Sequence, residues 1–538
     1  MLIATRNRTE GKVAATVNQK SEGPSLLHET SLVTIEARNS QELVIALIGP
    51  VASGVTTSGE IIRDELASYG YEVTPIIKLS SFIEKSAIRV GVAIPANLSS
   101  DKRVDIFQDA GNKLREKFGS DYLAKKAVTE IAATRLKDGF EIAVEGAPQR
   151  PRVLRRAHIV DSLKNEAELQ LLRKVYGSLL IVVGVFSPDY IRKQRLKARK
   201  IPDLVIEKMI DRDQGEGISH GQQARGIFSS SDFFIRNDQS NKESLKRTIK
   251  RYVEMVFGVG IHTATAAESA MHEASAAANK SACLSRQVGA AIVDHSGSLI
   301  AVGWNDVPKF GGGLYTEDDQ NWIEPGAHIA SDHDNRCFRW GDAICHNDEE
   351  KRSIENKLFN SLRASGVVSE SIPDDAIRFA IRGSGIEALL EFSRSIHAEM
   401  EAILSIARDA RHSLQGATLY TTVYPCHNCA RHIVASGIKE VIYIQPYRKS
   451  LAITLHHDAI SENESQKNCV IFKQFQGVSP RNFELVFKQS AERKKDGRFI
   501  EGDRLSAKPL FSQPSDSFTA YELRIAEEVQ TIEVEGAA

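Results

Sequence analysis

An unbroken apolar run, Leu43-Val44-Ile45-Ala46-Leu47-Ile48, passes directly into Gly49-Pro-Val-Ala-Ser-Gly54-Val-Thr56-Thr and then into an amphipathic stretch from Glu60 to Tyr69. A strand without polar alternation is buried on both faces, and such strands belong to parallel sheets covered by helices. A glycine loop between that strand and a helix points backbone N–H groups outward at the positive end of the helix dipole, which suits a phosphate. Further strands are predicted at Glu72–Ile77, Phe140–Glu145, His158–Ser162 and Leu179–Phe186, with helices at Val104–Lys117, Tyr122–Lys137 and Glu166–Val175 between them. This alternation predicts an α/β unit over 41–258, preceded by a polar arm at 1–40.

A chain of 538 residues is too long for one core; roughly two to four domains are expected. The 42% apolar and 26% charged content is that of an ordinary globular protein. Lys plus Arg total 69 against 70 for Asp plus Glu, so there is no global positive field to draw in a polynucleotide. No apolar run reaches the ~18 residues of a membrane span, and Met1 to Thr30 carry no apolar core like that of a signal peptide, so a cytoplasmic protein without membrane partners is expected. Six cysteines, two of them in a Cys-x-x-Cys pair, point to metal binding rather than a disulfide framework.

A second unit is expected over 260–460. It holds a small-residue helix at Thr263–Asn279, strands at Val288–Val293 and Leu299–Gly303, and a polar insertion at about 309–393. Then come a helix at His397–Arg408, a strand at Ala417–Val423, a helix at Cys426–Ser436 and a strand at Glu440–Ile444. Residues 461–538 show no assignable pattern. His397-Ala-Glu399 opens the first of these helices, and Pro425-Cys426-His427-Asn428-Cys429 opens the second. One imidazole and two thiolates give Zn2+ three protein ligands and leave its fourth position to water, as a catalytic site requires. Glu399, two residues from His397, points elsewhere and stays available to move protons. The pattern is the signature of zinc-dependent nucleobase deaminases. A lone Cys-x-x-Cys also occurs in structural zinc sites and redox pairs. His427 is an alternative ligand, but it would leave Glu399 without a purpose; Glu401 reads as a solvated helix residue.

Ser285-Arg286-Gln-Val-Gly-Ala-Ala-Ile-Val293, Gly303-Trp-Asn305-Asp-Val-Pro308 and Cys429-Ala-Arg-His-Ile-Val-Ala-Ser-Gly-Ile-Lys439 resemble the deoxycytidylate deaminase family. The resemblance implies that Asn305 bonds the sugar 3′-hydroxyl, where the plain alternative is a turn residue, and makes Arg286 a candidate for the substrate phosphate. Some members carry a second, structural zinc, for which His333, Cys337, Cys345 and His346 in the insertion have suitable ligand types, although ordinary loop residues would look the same.

Over 43–460 the chain resembles bacterial anti-phage deoxycytidylate deaminases, in which a P-loop kinase-like domain precedes the deaminase. The fold then implied is α/β: an N-terminal P-loop kinase-like parallel sheet domain plus a C-terminal cytidine-deaminase-like α/β/α domain. The function implied is hydrolysis of dCTP, dCMP or both to the deoxyuridine forms, depleting the dCTP that phage replication needs, by a homo-oligomer that in some members is inhibited by a small RNA. A working P-loop reads Gly-x4-Gly-Lys-Ser/Thr. Gly49, Gly54 and Thr56 match, but Val55 stands where the lysine belongs. The loop is therefore expected to bind a regulatory nucleotide or dock an inhibitor without efficient phosphoryl transfer. Ser231-Asp-Phe-Phe-Ile-Arg-Asn237 resembles the last strand of nucleotide kinases. Arg192, Arg195 and Arg199 read either as their basic lid or as a solvated face. The rival functions are a nucleic-acid deaminase, which would favour a basic, aromatic channel, and a P-loop switch with the deaminase as its output.

Overall fold

The computed structural model describes residues 39–538 except 97, 142–149, 152–153, 215–220, 222–223, 239–241, 320–333, 340–342, 387–388, 390, 448–449, 490–491, 515 and 537–538. All but the last two positions of the predicted arm, and His333, thus lie outside the described residues.

Strand β1 (Leu43–Ile48) is buried at every position. Its side chains alternate between two apolar clusters, Val44, Ala46 and Ile48 on one face of the sheet and Leu43, Ile45 and Leu47 on the other. After it come α1 (Val55–Ala67), β2 (Glu72–Val73), β3 (Ile77–Lys78), α2 (Leu79–Ser86), α3 (Ser100–Phe118) and α4 (Tyr122–Asp138). Then follow β4 (Arg156–Leu163), α5 (Glu166–Tyr176), β5 (Leu180–Phe186), α6 (Asp189–Ala198), α7 (Asp203–Gln214), β6 (Phe233–Arg236) and α8 (Lys242–Val256). β1 lies between β4 and β5, parallel to both, and β6 continues the parallel sheet beyond β5. Phe82, Leu114, Val128 and Leu172 from α2 to α5 cover one face, while Ile62 and Leu66 of α1 with Ile249 and Val253 of α8 cover the other. The predicted strand Phe140–Glu145 is not part of this sheet: Phe140–Glu141 pairs with Arg150–Pro151 in a separate ribbon, and 142–145 lie outside the described residues.

The second half contains α9 (Ala266–Ala278), β7 (Gly289–Val293), β8 (Leu299–Trp304), α10 (His346–Ala364), α11 (Asp374–Gly383) and α12 (Ala398–Asp409). β9 (Thr418–Val423), α13 (His427–Ala435), β10 (Glu440–Gln445), β11 (Ile460–Ser461) and β12 (Val470–Gln474) complete it. Its sheet runs β8-β7-β9-β10-β12-β11, antiparallel at the β8 end and parallel from β9 onward. On one face Ile292, Leu419 and Val441 pack beneath α12 and α13. On the other, Ala291, Val293 and Tyr420 meet Met271 and Ala274 of α9 in the same cluster as Val44 of β1. One apolar core therefore runs through both halves.

The expected boundary at 460 is not where the sheet ends, because β11 and β12 lie at and beyond it. The chain then crosses over: β13 (Gly477–Val478) pairs antiparallel with β6, Gly477 opposite Phe234. Glu268 of α9 anchors the crossing. It caps its own helix with Thr265, accepts the Val478 N–H at 2.9 Å, and takes two bonds from Arg251 of α8 at 2.8 Å each. Finally α14 (Asp516–Glu535) lies along α4, where Arg135 bonds both Glu42 and Glu522, all three buried. The two-residue strand that makes the crossing carries no periodicity to read. Among the described residues no helix is long and apolar enough to cross a membrane.

Candidate active site and metal centre

Gly303 of β8 meets α12 so closely that a Cβ there would stand 2.3 Å from the Ala398 carbonyl oxygen and 2.5 Å from Ala402 N. Glycine permits that approach and seats the first turn of α12 on the sheet. His397 is the N-cap of α12, and Cys426, delivered by β9 through Tyr424-Pro425, is the N-cap of α13. His397 Nδ1 lies 3.2 Å from Cys429 Sγ and 3.3 Å from Cys426 Sγ. The three ligand atoms sit within 4.8 Å of one another, the one such group of His, Cys, Asp or Glu among the described residues.

Both cysteines are buried; the N-terminal end of α13 favours a thiolate at Cys426, while the hydrogen bond that Cys429 donates to Cys426, together with burial, holds the Cys429 thiol well above the usual range. The hydrogen bond from Cys429, working against burial and helped by His397, draws the Cys426 thiol down to about 4. Burial pulls His397 down, but the hydrogen bond and charge of Cys426 outweigh it and leave the imidazole raised. Two soft thiolates and one imidazole, converging and buried, fit zinc with one coordination position left over. Glu399 is 4% exposed, and its Oε2 accepts from Cys429 Sγ at 3.5 Å. Burial raises its carboxyl above the usual range, a condition that suits a group that must take up and release protons near neutrality.

His427 turns away from this cluster toward Glu391, with Nε2 3.8 Å from Oε1, so the alternative ligand set is not assembled. Glu401 is not solvated: it is buried on the inner side of α12 and accepts from Arg408.

A cleft of about 260 Å³ opens over the cluster. His397, Glu399 and Cys426 form its floor, and Asn305, Arg286, Tyr424 and Tyr447 its walls. Asn305, 6% exposed, accepts from Val288 N–H at 2.7 Å and donates to the Arg286 carbonyl at 2.8 Å. It fixes the 286–288 loop, and its amide retains one N–H and one lone pair. The Arg286 guanidinium lies 5.7 Å from the ring centroid of Tyr447. Cys337, Cys345, His346 and Lys351 of the insertion, together with Arg394, line the outer cleft. Among the described residues Cys337, Cys345 and His346 do not bring three ligand atoms within 4.8 Å of one another. Cys283 joins them unpredicted, close enough to act on Cys337, whose thiol burial pushes up. Lys351, Arg394, Tyr424 and Tyr447 were also missed; no local pattern distinguishes them from surface residues.

The glycine loop is placed as expected between β1 and α1, with Gly54 at φ +87° as the N-cap. Its neighbours are not the expected ones. Thr56 Oγ1 donates to Asp161 Oδ2 at 2.8 Å, and Arg192 and Arg195 donate to the Val51 and Ala52 carbonyls at 2.8 and 3.0 Å. The arginine cluster is thus divided, with Arg192 and Arg195 packed on the loop and Arg199 exposed.

Helix-start histidine and cysteines beneath a cleft, with a buried glutamate beside them, define a metal-dependent hydrolytic deaminase. Residues 264–445 match the model of the cytidine and deoxycytidylate deaminase zinc-binding region. The deoxycytidylate deaminase of Enterobacteria phage T4 is 30% identical over 178 residues, 32% of this chain and 73% of that one. The chain belongs to the cytidine and deoxycytidylate deaminase family, and zinc is its metal. A UPF0200/UPF0201 protein of Archaeoglobus fulgidus is 25% identical over 225 residues, 41% of this chain and 58% of that one. The dCMP deaminase of cyanophage S-TIM5, solved with dCMP and dUMP, is 20% identical across 40% of this chain and 100% of that one, at a TM-score of 0.22.

Proposed function

We propose that this chain hydrolyses the 4-amino group of free deoxycytidine nucleotides, dCTP, dCMP or both, with His397, Cys426 and Cys429 holding zinc and Glu399 moving the protons. The observation that carries this reading is the buried Glu399 carboxyl beside the three-ligand cluster, on the floor of a cleft whose upper part holds Arg286, Lys351 and Arg394. Bound zinc supplies the Lewis acidity that makes water nucleophilic at neutral pH. Glu399 carries one proton of the attacking water to the ring nitrogen, where it stays in the uracil, and then carries the second, from the hydroxyl so added, to the departing amino group, which leaves as ammonia. Its raised affinity for protons lets it do both. Arg286 meets the substrate phosphate, and Asn305, while fixing the loop that carries Arg286, offers its remaining N–H and lone pair to the sugar.

The wider reading rests on the resemblance: depletion of dCTP as a defence against phage, by a cytoplasmic oligomer with an inhibitory small RNA as partner. The N-terminal half is in this reading a nucleotide-kinase-like unit that does not transfer phosphate efficiently, since Val55 replaces the lysine of a working P-loop. Zinc-loaded protein incubated with dCTP, dCMP, CTP, deoxycytidine and a cytosine-containing oligonucleotide tests the substrate class. Uracil product from dCTP or dCMP is expected, and product from the oligonucleotide alone would defeat the reading.

A further inference from the structure

The strand–loop–helix element invites phosphate, yet its own side chains already engage it. Val51 N–H donates to Asp213 Oδ2 at 2.6 Å, and Lys164 Nζ bridges Asp213 Oδ1 at 2.6 Å and the Gly49 carbonyl at 2.8 Å. Asn237 Nδ2 donates to the Ser53 carbonyl at 2.8 Å. Asp213 is 1% exposed. A carboxylate received by a loop amide and an ammonium group stands where an oxyanion would. Lys164, arriving from the far end of β4, provides the positive charge that Val55 lacks.

Two groups in this arrangement remain unsatisfied. Arg192 is 2% exposed and its Nη2 has no hydrogen-bond partner among the described residues; it faces Asp213 Oδ2 across 3.9 Å. Ser53, within the loop and fully buried, has a hydroxyl oxygen without a partner among the described residues. Buried donors in that state are costly unless a ligand answers them. Arg192 and Asp213 also line a cavity of about 70 Å³, whose opposite wall is formed by Tyr443 and Lys473 of the second sheet. The helix that carries Asp213 is docked by a small apolar cluster of its own, Leu196, Ile201, Ile206, Met209 and Ile210, against Val51 and Ala52. This cluster is separate from the two sheet cores, so α6 and α7 form a unit that can lift without opening either core.

We propose that the glycine loop is a phosphate-binding site latched by Asp213, with Lys164 and Arg192 as its cations, and that a phosphoryl group enters by displacing the Asp213 carboxylate. The proposal is independent of the deaminase reading, because its test measures phosphate binding and not turnover. Full-length zinc-loaded protein and its Asp213→Ala variant are titrated with inorganic phosphate, tripolyphosphate and a deoxynucleoside triphosphate, against sodium chloride of equal ionic strength. Thermal unfolding and 31P line broadening are the readouts. Removing Asp213 leaves Lys164 without its carboxylate and Arg192 with Asp189 as its remaining one, at 2.7 Å, so phosphate is expected to raise the variant's unfolding midpoint and to bind it at least about tenfold tighter than the unaltered chain. Adding Lys164→Met should abolish that gain. Tighter binding of the nucleotide than of tripolyphosphate assigns the site to a nucleotide, and equal binding assigns it to the phosphate chain alone; both support the latch. Phosphate that affects the variant no more than chloride does, or equal affinity in variant and unaltered chain, overturns it. Should Asp213→Ala fail to fold, the isosteric Asp213→Asn, read in the same titrations, removes the charge and decides the question.

Discussion

Two loop-to-helix junctions in this chain meet the positive ends of helices, and they differ in what their polar groups are doing. At the deaminase cleft, His397 contacts Cys426 and Cys429, and Glu399 accepts from Cys429. Their remaining capacity faces an opening of about 260 Å³. At the glycine loop, the carbonyls of Gly49, Val51, Ala52 and Ser53 all accept from side chains, and Asp213 takes an amide. A motif shows where a ligand can be held; the partners already present decide whether it is held now.

The contrast breaks hardest at the metal. Cys426→Ser, or prolonged chelation, is expected to remove zinc, abolish uracil production and lower the unfolding midpoint, because metal binding adds to folding free energy. Undiminished turnover at zinc contents far below one per chain would end the metal assignment. Glu399→Gln should keep its zinc and lose about 10²–10⁴ in turnover; a variant whose kcat stays near that of the parent would remove Glu399 from proton transfer.

Stability comes next. Glu268→Ala leaves the Val478 N–H without its acceptor and Arg251 with the Thr263 carbonyl alone, and an expected loss of about 1–3 kcal/mol should appear in urea unfolding. A change below ~1 kcal/mol would make the crossing strand incidental. Arg286→Ala should lower kcat/KM for deoxycytidine nucleotides by about tenfold while sparing deoxycytidine; equal losses on both would reassign Arg286 to loop structure. The smallest effect is expected from Val55→Lys. Because Asp213, Lys164 and the arginines still engage the loop, the variant should show no phosphoryl transfer from ATP to a deoxynucleoside monophosphate above background, and transfer at ordinary kinase rates would show that the lysine alone was missing.

What the sequence revealed follows the same division. The zinc cluster was legible because each ligand lies at a helix start within a short spaced pattern, and β1 because an unbroken apolar run fits a strand covered on both faces. Of the cleft walls, Asn305 and Arg286 were legible by resemblance, but Cys283, Lys351, Arg394 and Tyr447 were not, since they are brought together from four separate stretches of chain. Glu401 looked solvated because acidic helix residues usually are, and only the fold shows Arg408 answering it. Lys164 and Asp213 gave no signal at all, for a charge that replaces a motif residue from a distant strand leaves no spacing to find.

The crossing at Gly477–Val478 has a consequence for how such a protein can be taken apart. Because the last strand of one sheet leads directly into the edge of the other, and α14 then settles on α4, a cut near residue 258 frees neither half. The piece that keeps the zinc would carry away an edge strand and a helix belonging to its neighbour, and the neighbour would be left with an open sheet edge prone to self-association. Inheritance, exchange or engineered transplantation of the catalytic half alone therefore runs into the suture before it reaches the chemistry.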